Sequence, residues 1–337
     1  MAQTLQSIET PRDLDAMEAL VAVGRPAVFR HPEADGELIE AGRKSPNELL
    51  GILRSRAGER KVAAARIVPG AQGRLTRADA AGAVAAWSPV GVPLADVIDE
   101  MVAPQPDGSR ILLRGVPVDE VLGEIDALTR LSLRPEVPGR LWLGNATGCD
   151  VRADQFHTIL WPFLGRIRIR LFEPSELPHL RPGPLDGTHM NAPLALLDPE
   201  APPDAATAAA VERSLDVELS PGDALFVPVY WWHSFVAKER FGFVAHLWSD
   251  LDARRMKGAM GAFWQGMLAL RELPTAHREH FERLFEHFVF ERNGPPMSHL
   301  AAAEQGVAGV PDEQRRVELR RRVLAEGRRL AREALRD

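Results

Sequence analysis

Between Leu141 and Trp248 the chain is written in short apolar runs cut by turn residues, and this pattern limits the fold more than any other feature. The clearest run is Arg166-Ile167-Arg168-Ile169-Arg170-Leu171. It has period two, so Ile167, Ile169 and Leu171 share one side and the three arginines the other. That is a strand with one buried face, ended by Glu173-Pro174. Leu215 to Leu219 alternates in the same way, Pro221-Gly222-Asp223 reads as a tight turn, and Ala224–Val229 and Phe241–Trp248 read as further strands. Short strands at turn spacing predict an antiparallel barrel or sandwich. Residues 178–214 hold seven prolines, which predicts an irregular excursion with one short Ala-rich helix.

The flanks differ in character. Residues 11–23 predict an amphipathic helix stopped by Gly24, Pro26–Phe29 a strand, 46–56 a second helix and Lys61–Val68 a strand. Residues 70–92 are Gly- and Ala-rich and weakly patterned; 117–131 predict a helix and 134–139 a Pro-punctuated linker. After Asp250 the apolar period becomes helical, with one stripe of Phe263, Trp264, Met267 and Leu268 and another of Phe281, Leu284, Phe285 and Phe288. The Arg-rich segment 312–336 reads as a solvated helix face. The expected division is therefore 1–250, a β core with its N-terminal flank, and 251–337, a helical region.

Net charge −6 excludes a globally basic nucleic-acid binder. A single cysteine, Cys149, excludes an internal disulfide framework and a Cys-cluster metal site. No apolar run is long enough to span a bilayer and no basic-then-apolar leader is seen, which gives the expectation of a cytoplasmic protein without nucleic-acid or membrane partners. Seven Trp stand against one Tyr, Tyr230, and five of them (Trp142, Trp161, Trp231, Trp232, Trp248) fall in the strand-rich part.

The segment most suggestive of chemistry is Pro221-Gly222-Asp223-Ala224-Leu225-Phe226-Val227-Pro228-Val229-Tyr230-Trp231-Trp232-His233. It reads as a turn feeding a strand that ends in a Pro, a Trp pair and a His. It resembles the second metal-binding segment of the cupin-like JmjC oxygenases, the group containing the factor-inhibiting-HIF asparaginyl hydroxylase. Leu141–Asn145 and Gly165–Pro174 resemble the strands around that family's first metal segment. Gly183–Asp186, Leu270–Pro274, Phe285–Phe290 and Gly24–Arg30 resemble segments of a bacterial branch. The resemblance covers essentially the whole chain. It implies a mostly β core with helical additions: a double-stranded β-helix (cupin/jelly-roll) barrel, N-terminal α/β elements and a C-terminal helical region that pairs two copies into a homodimer.

The resemblance also implies Fe(II) held by two His and one carboxylate, 2-oxoglutarate as cosubstrate, and hydroxylation of a peptide or small molecule. Its first metal pair is His-x-Asp, whose spacing puts both side chains on one strand face. The His position, thirteen residues before Gly165, is Arg152 here; the carboxylate is Asp154 and the distal ligand His233. A guanidinium has no lone pair to donate, so Arg152 cannot replace a ligand; it suits a pair with Asp154 or an anion. The family's cationic anchor for 2-oxoglutarate is Ile167 here, with Arg166 and Arg168 expected on the other face. An aromatic-rich segment of the bacterial relatives reads Gly73–Ala78 here, without an aromatic.

His246 stands where relatives carry Asn, which makes it a candidate replacement ligand or acid/base, beside Thr158 and Trp248 as cosubstrate-site positions. His157 lies three residues after Asp154, on the opposite face or in a turn. His189 is a pocket-mouth candidate; His277, His280, His287 and His299 read as surface or packing residues, and Cys149 as a thiol near the pocket. Three readings stay open: an oxygenase with a site rebuilt on His246 or His157, a catalytically silent binding or assembly protein, and a metal-free or differently metallated enzyme using Arg152 as an anion clamp and His246 as acid/base.

Overall fold

A computed structural model describes residues 3–5, 7–11, 14–30, 36–67, 74–75, 84–87, 91–117, 139–145, 148–183, 185, 193–198, 200–249 and 258–334. The chain divides into two compact units, 1–251 and 252–337.

Two sheets form the first unit. The larger contains β2 (Ser7–Ile8), β3 (Ala27–Phe29), β5 (Ala64–Ile67), β7 (Val84–Trp87), β9 (Arg110–Pro117), β10 (Arg140–Asn145), β12 (His157–Leu164), β15 (Ala224–Val227) and β17 (Phe241–Ser249). Its order is β2-β3-β15-β12-β17-β10-β9-β5-β7. The smaller contains β1 (Gln3–Thr4), β6 (Arg74–Leu75), β11 (Gly148–Ala153), β13 (Ile167–Phe172), β14 (Leu215–Leu219) and β16 (Trp232–Ala237), in the order β1-β14-β13-β16-β11-β6. A two-stranded ribbon of β4 (Lys61–Val62) and β8 (Val92–Pro93) pairs with neither sheet, though Val62 joins the core of the larger one. Pairing is mostly antiparallel, as the turn spacing predicts, and the helical additions make this the expected mostly β core.

The two sheets differ in sequence because they differ in what covers them. Helices α1 (Leu14–Val23), α2 (Glu37–Lys44), α3 (Pro46–Arg56) and α4 (Leu94–Val102) supply Met17, Leu38, Leu49, Leu53, Ile98 and Met101 to a core with Trp161, Phe163, Phe226 and Phe243 of the larger sheet. The other face of that sheet, with Leu160, Leu225 and Val244, packs on Ile167, Ile169, Leu171 and Phe235 of the smaller one. A strand covered on both faces has no polar side, so β12 reads as an unbroken apolar run after Thr158. In β13 Ile167, Ile169 and Leu171 are covered while Arg168 and Arg170 between them are not, and it alternates up to Phe172, which is buried on the other face. Each fully buried Leu, Ile or Phe contributes about 1.5–3 kcal/mol of transfer free energy.

Several expectations are corrected in detail. Lys61–Val68 is two strands, broken at Ala63. Strand β9 and helices α2 and α4 are additional to the expected elements, α4 burying Leu94, Val97, Ile98 and Met101; Pro117 closes β9, and the rest of the helix expected over 117–131 lies outside the described residues, as do His189 and half of the Gly183–Asp186 motif. His233 does not end the strand that begins at Ala224. That strand stops at Val227, and Tyr230 adopts a left-handed conformation (φ 65°) which reverses the chain, so that His233 is the second residue of β16. The Pro-rich excursion contains α5 (Ala208–Arg213) and lays Ala195 against Val151, where Ala195 N–H donates to the Val151 carbonyl at 2.8 Å.

The second unit carries α6 (Ala259–Leu270), α7 (Thr275–Phe288) and α8 (Glu313–Ala334). Arg315 ties its loops together, donating to the carbonyls of Ala302, Gly306 and Val310 at 2.7–2.9 Å. Neither α6 nor α7 buries a residue, so the two aromatic stripes are exposed. Among the described residues no helix is long and apolar enough to cross a membrane.

Candidate functional site

The site lies on the inner face of the smaller sheet, where the C-terminal end of β11 meets the N-terminal end of β16. The register pairs Cys149 with Phe235 and Arg152 with His233, so Asp150 and Val151 oppose Ser234 alone. This is a β-bulge, and its extra residue reverses the alternation. Cys149 and Arg152, an odd number of residues apart, therefore both reach the interior between the sheets. Across β16 the next neighbours are Ile169 beside Phe235 and Leu171 beside His233, both apolar.

Arg152 is 7 % exposed. Its guanidinium carbon stands 4.7 Å from the centroid of Trp142, a stacking partner that the sequence gives no means of assigning. Its Nε is 3.3 Å from Asp154 Oδ1, and its Nη2 donates to Asp154 Oδ2 at 3.5 Å. These are long for a charge-assisted pair, whose usual separation is about 2.7–2.9 Å. The Nε–H makes no hydrogen bond.

His233 is fully buried. Its Nδ1 is 3.1 Å from the carbonyl oxygen of Trp231, which can only accept, so Nδ1 carries the proton and Nε2 a lone pair. Burial pushes the imidazole pKa down, as does the charge of Arg152; Asp154 and the Trp231 carbonyl oppose them without prevailing. Nε2 is 3.6 Å from Asp154 Oδ2 and makes no hydrogen bond. Two acceptors thus face one another, Oδ2 with only the long contact from Arg152 Nη2 and Nε2 with no donor.

Thr158 is 1 % exposed and its hydroxyl is also without a partner. It shares a strand face with Leu160 of the inter-sheet core and pairs with Val227 of β15. A buried polar group left unsatisfied costs about 1–3 kcal/mol, so three of them at one end of the sandwich mark a place built for something other than packing.

The remaining candidates separate. Ile167 is 2 % exposed among Ile169, Val217 and Leu219, while Arg168 and Arg170 on the outer face pair with Asp216. His157 is turned to the other side of β12: its Nδ1 accepts from Val229 N–H at 3.2 Å and its ring stacks on Phe226. It is held away from Asp154 and does not complete the site. Cys149 is buried, and burial pushes its thiol pKa up against the opposing charge of Arg152, so it is no activated thiolate. The backbone of β17 places His246 opposite Leu160 and Trp248 opposite Thr158. Their side chains lie outside the described residues. His277, His280 and His299 are exposed and His287 partly so, all in the second unit.

A facial iron site needs three lone-pair donors. Here Asp154 and His233 supply two, and the third corner is a cation bound to the carboxylate. Among the described residues no three His, Cys, Asp or Glu side chains converge as a metal site. With Ile167 in place of a cation, the inner face also has no charge at the position expected to hold 2-oxoglutarate. The described side chains thus supply neither a third ligand for Fe(II) nor a cationic anchor for 2-oxoglutarate.

The cupin-like domain family matches residues 13–253. The chain is similar to the Drosophila melanogaster Jumonji C domain-containing protein 5, with 27 % identity over 177 residues, covering 48 % of this chain and 43 % of that protein. It is also similar to the Arabidopsis thaliana lysine-specific demethylase JMJ31, with 26 % identity over 125 residues, covering 36 % of this chain and 23 % of that protein. The chain therefore spans less than half the length of these two relatives. Among solved structures it is similar to E. coli YcfD, at 17 % identity, 88 % of this chain, 70 % of that chain and a TM-score of 0.41. It is likewise similar to YcfD described as a ribosomal oxygenase in complex with cobalt and 2-oxoglutarate, at 17 % identity, 89 % of this chain, 63 % of that chain and a TM-score of 0.37.

Proposed function

Because the chain belongs to the cupin-like domain family of JmjC-type, oxygenase-like proteins, we propose that it keeps that family's sheet sandwich as a ligand pocket and does not perform Fe(II)/2-oxoglutarate hydroxylation. One observation carries this reading: Arg152 occupies the first-ligand position and pairs with the carboxylate that would bind the metal, Nε to Oδ1 3.3 Å. A divalent cation between Asp154 and His233 would meet the charge of Arg152 in a buried setting, where like charges repel most strongly.

The test is metal analysis of the untagged protein together with succinate release from 2-oxoglutarate. The reading expects substoichiometric iron and no succinate above background. Stoichiometric iron with succinate release would sink it. A second reading, a site rebuilt on Asp154, His233 and His246, is favoured by the two facing acceptors 3.6 Å apart. Cobalt titration separates the two: stoichiometric binding that is lost in His246→Ala would establish the rebuilt site.

We also propose that residues 252–337 pair two copies of the chain. The support is apolar surface, with Phe263 46 %, Leu268 75 % and Phe290 61 % exposed. A monomeric mass by light scattering at micromolar concentration would overturn it.

A further inference from the structure

We infer that the inner face of the smaller sheet binds a small zwitterion of the amino-acid class, its carboxylate on Arg152 and its ammonium between Asp154 and His233. This rests on the reading above, in which the pocket is not an iron centre.

The assignment follows from matching donors to acceptors. Arg152 turns its Nε–Nη2 edge to Asp154 at 3.3 and 3.5 Å, and its Nη1 makes no hydrogen bond, so the Nη1–Nη2 edge can take a second carboxylate in the paired geometry that this group favours. Elsewhere in the protein the same pairing is closed. Arg213 grips Glu176 at 2.6 and 2.8 Å, and Arg170 grips Asp216 at 2.8 and 3.0 Å. Arg152 alone among these is both buried and loosely held.

Asp154 Oδ2 and His233 Nε2 make the complementary half. Both are acceptors, 3.6 Å apart, and one donor nitrogen about 2.9 Å from each would satisfy both. Thr158, four residues beyond Asp154 on the facing sheet, supplies a hydroxyl able to donate or accept.

Charge selects between ligands that would satisfy these bonds. Arg152 and Asp154 sum to zero. A simple carboxylate would leave the buried site with net negative charge, and a simple amine with net positive charge. A zwitterion adds none, which is the least costly charged ligand for a desolvated site.

The experiment is isothermal titration of the EDTA-treated full chain with each of the twenty standard amino acids. The tightest binder is then compared with its deamino carboxylate and its decarboxylated amine. At least one amino acid should bind with a Kd of about 1 mM or tighter, and each truncated analogue should bind at least about tenfold more weakly. Asp154→Asn should weaken the amino acid at least about tenfold while leaving the deamino carboxylate no weaker, with folding checked by circular dichroism. Absence of binding by every amino acid overturns the inference, as does equal affinity for the deamino carboxylate. The analogue series uses the native protein and so does not depend on any variant folding. Iron-dependent succinate release would instead overturn the functional reading, whereas silence in both assays removes only the zwitterion.

Discussion

The smaller sheet places arginine beside aspartate on both of its faces and uses the pair differently on each. On the outer face Arg168 and Arg170 of β13 close on Asp216 of β14 at 2.6–3.0 Å, and Arg168 also reaches Glu200 at 3.2 Å. These are cross-strand neighbours at the edge of water, with Asp216 22 % exposed. On the inner face Arg152 of β11 and Asp154, one residue past its end, are more deeply buried and stay more than 3 Å apart. Burial makes the inner pair the costlier one to desolvate, yet it is the less completely bonded. An ion pair kept only to hold the sheets together would sit like the outer one. The inner pair instead resembles a site whose bonding is finished by a ligand.

The strongest challenge to this contrast exchanges residue types across β13. Ile167→Arg puts a guanidinium at a 2 % exposed position among Ile169, Val217 and Leu219, with no carboxylate described beside it. We expect a loss of about 5 kcal/mol or more in chemical denaturation, or no folded protein. The mirror change, Arg168→Ile on the outer face, should cost only about 1 kcal/mol. If Ile167→Arg folds with near-native stability, the inner face has room for a cosubstrate anchor and the case against 2-oxoglutarate weakens. Next in size is Asp154→Ala. It strands Arg152 as a buried, uncompensated cation and should cost about 3–5 kcal/mol by the same measurement. A loss no larger than that of Asp216→Ala would erase the distinction between the faces.

How much of this was legible in the sequence depended on how local the cause was. The alternation of Arg166–Leu171 gave the inner and outer faces of β13 correctly, because period two is a property of the strand itself. The His-x-Asp spacing likewise put Arg152 and Asp154 on one face. The bulge at Asp150–Val151 was not legible, since it exists only relative to β16; Cys149 was expected near the pocket from its place in the chain alone, without the bulge that turns it inward. The turn through Tyr230 was hidden for another reason: a left-handed tyrosine defies local preference and is imposed by its surroundings. There Tyr230 N–H donates to the Asp154 carbonyl and Trp231 N–H to the Pro228 carbonyl. The stacking of Arg152 on Trp142 joins strands of different sheets, and residue spacing carries no trace of it. Helix α4 was legible, since Leu94, Val97, Ile98 and Met101 stand at i, i+3, i+4 and i+7, a stripe that needs no partner to be read.

A pH series sharpens the outer half of the comparison. Burial by itself would raise the Asp216 carboxyl, but the hydrogen bonds and charges of Arg170 and Arg168 outweigh it and hold the pKa below its ordinary value of 3.8. A carboxylate lowered on folding contributes stability that is complete above its unfolded pKa and is lost as pH falls through the folded one. Asp216→Asn should therefore cost about 1–2 kcal/mol at pH 7. The gap to the native protein should close as the pH is taken below 3.8 toward the lowered folded value. A gap that persists unchanged in acid would mean that the side chain acts through shape and not through charge.

The smallest effect is expected where the same residue types meet in water. Arg166 reaches Glu218 at 2.9 Å and Glu239 at 3.0 Å, distances as short as those around Asp216. Its side chain is 53 % exposed and those of its partners 46 % and 45 %, so solvent and salt screen the attraction, and ordering three long side chains offsets what is left. Arg166→Ala should leave the denaturation midpoint unresolvably different from that of the native protein, at low salt and at 0.5 M salt alike. A shift matching that of Asp216→Asn would show that distance alone sets the worth of these pairs. The long inner pair of Arg152 and Asp154 would then be a weak contact, and its openness no sign of a ligand.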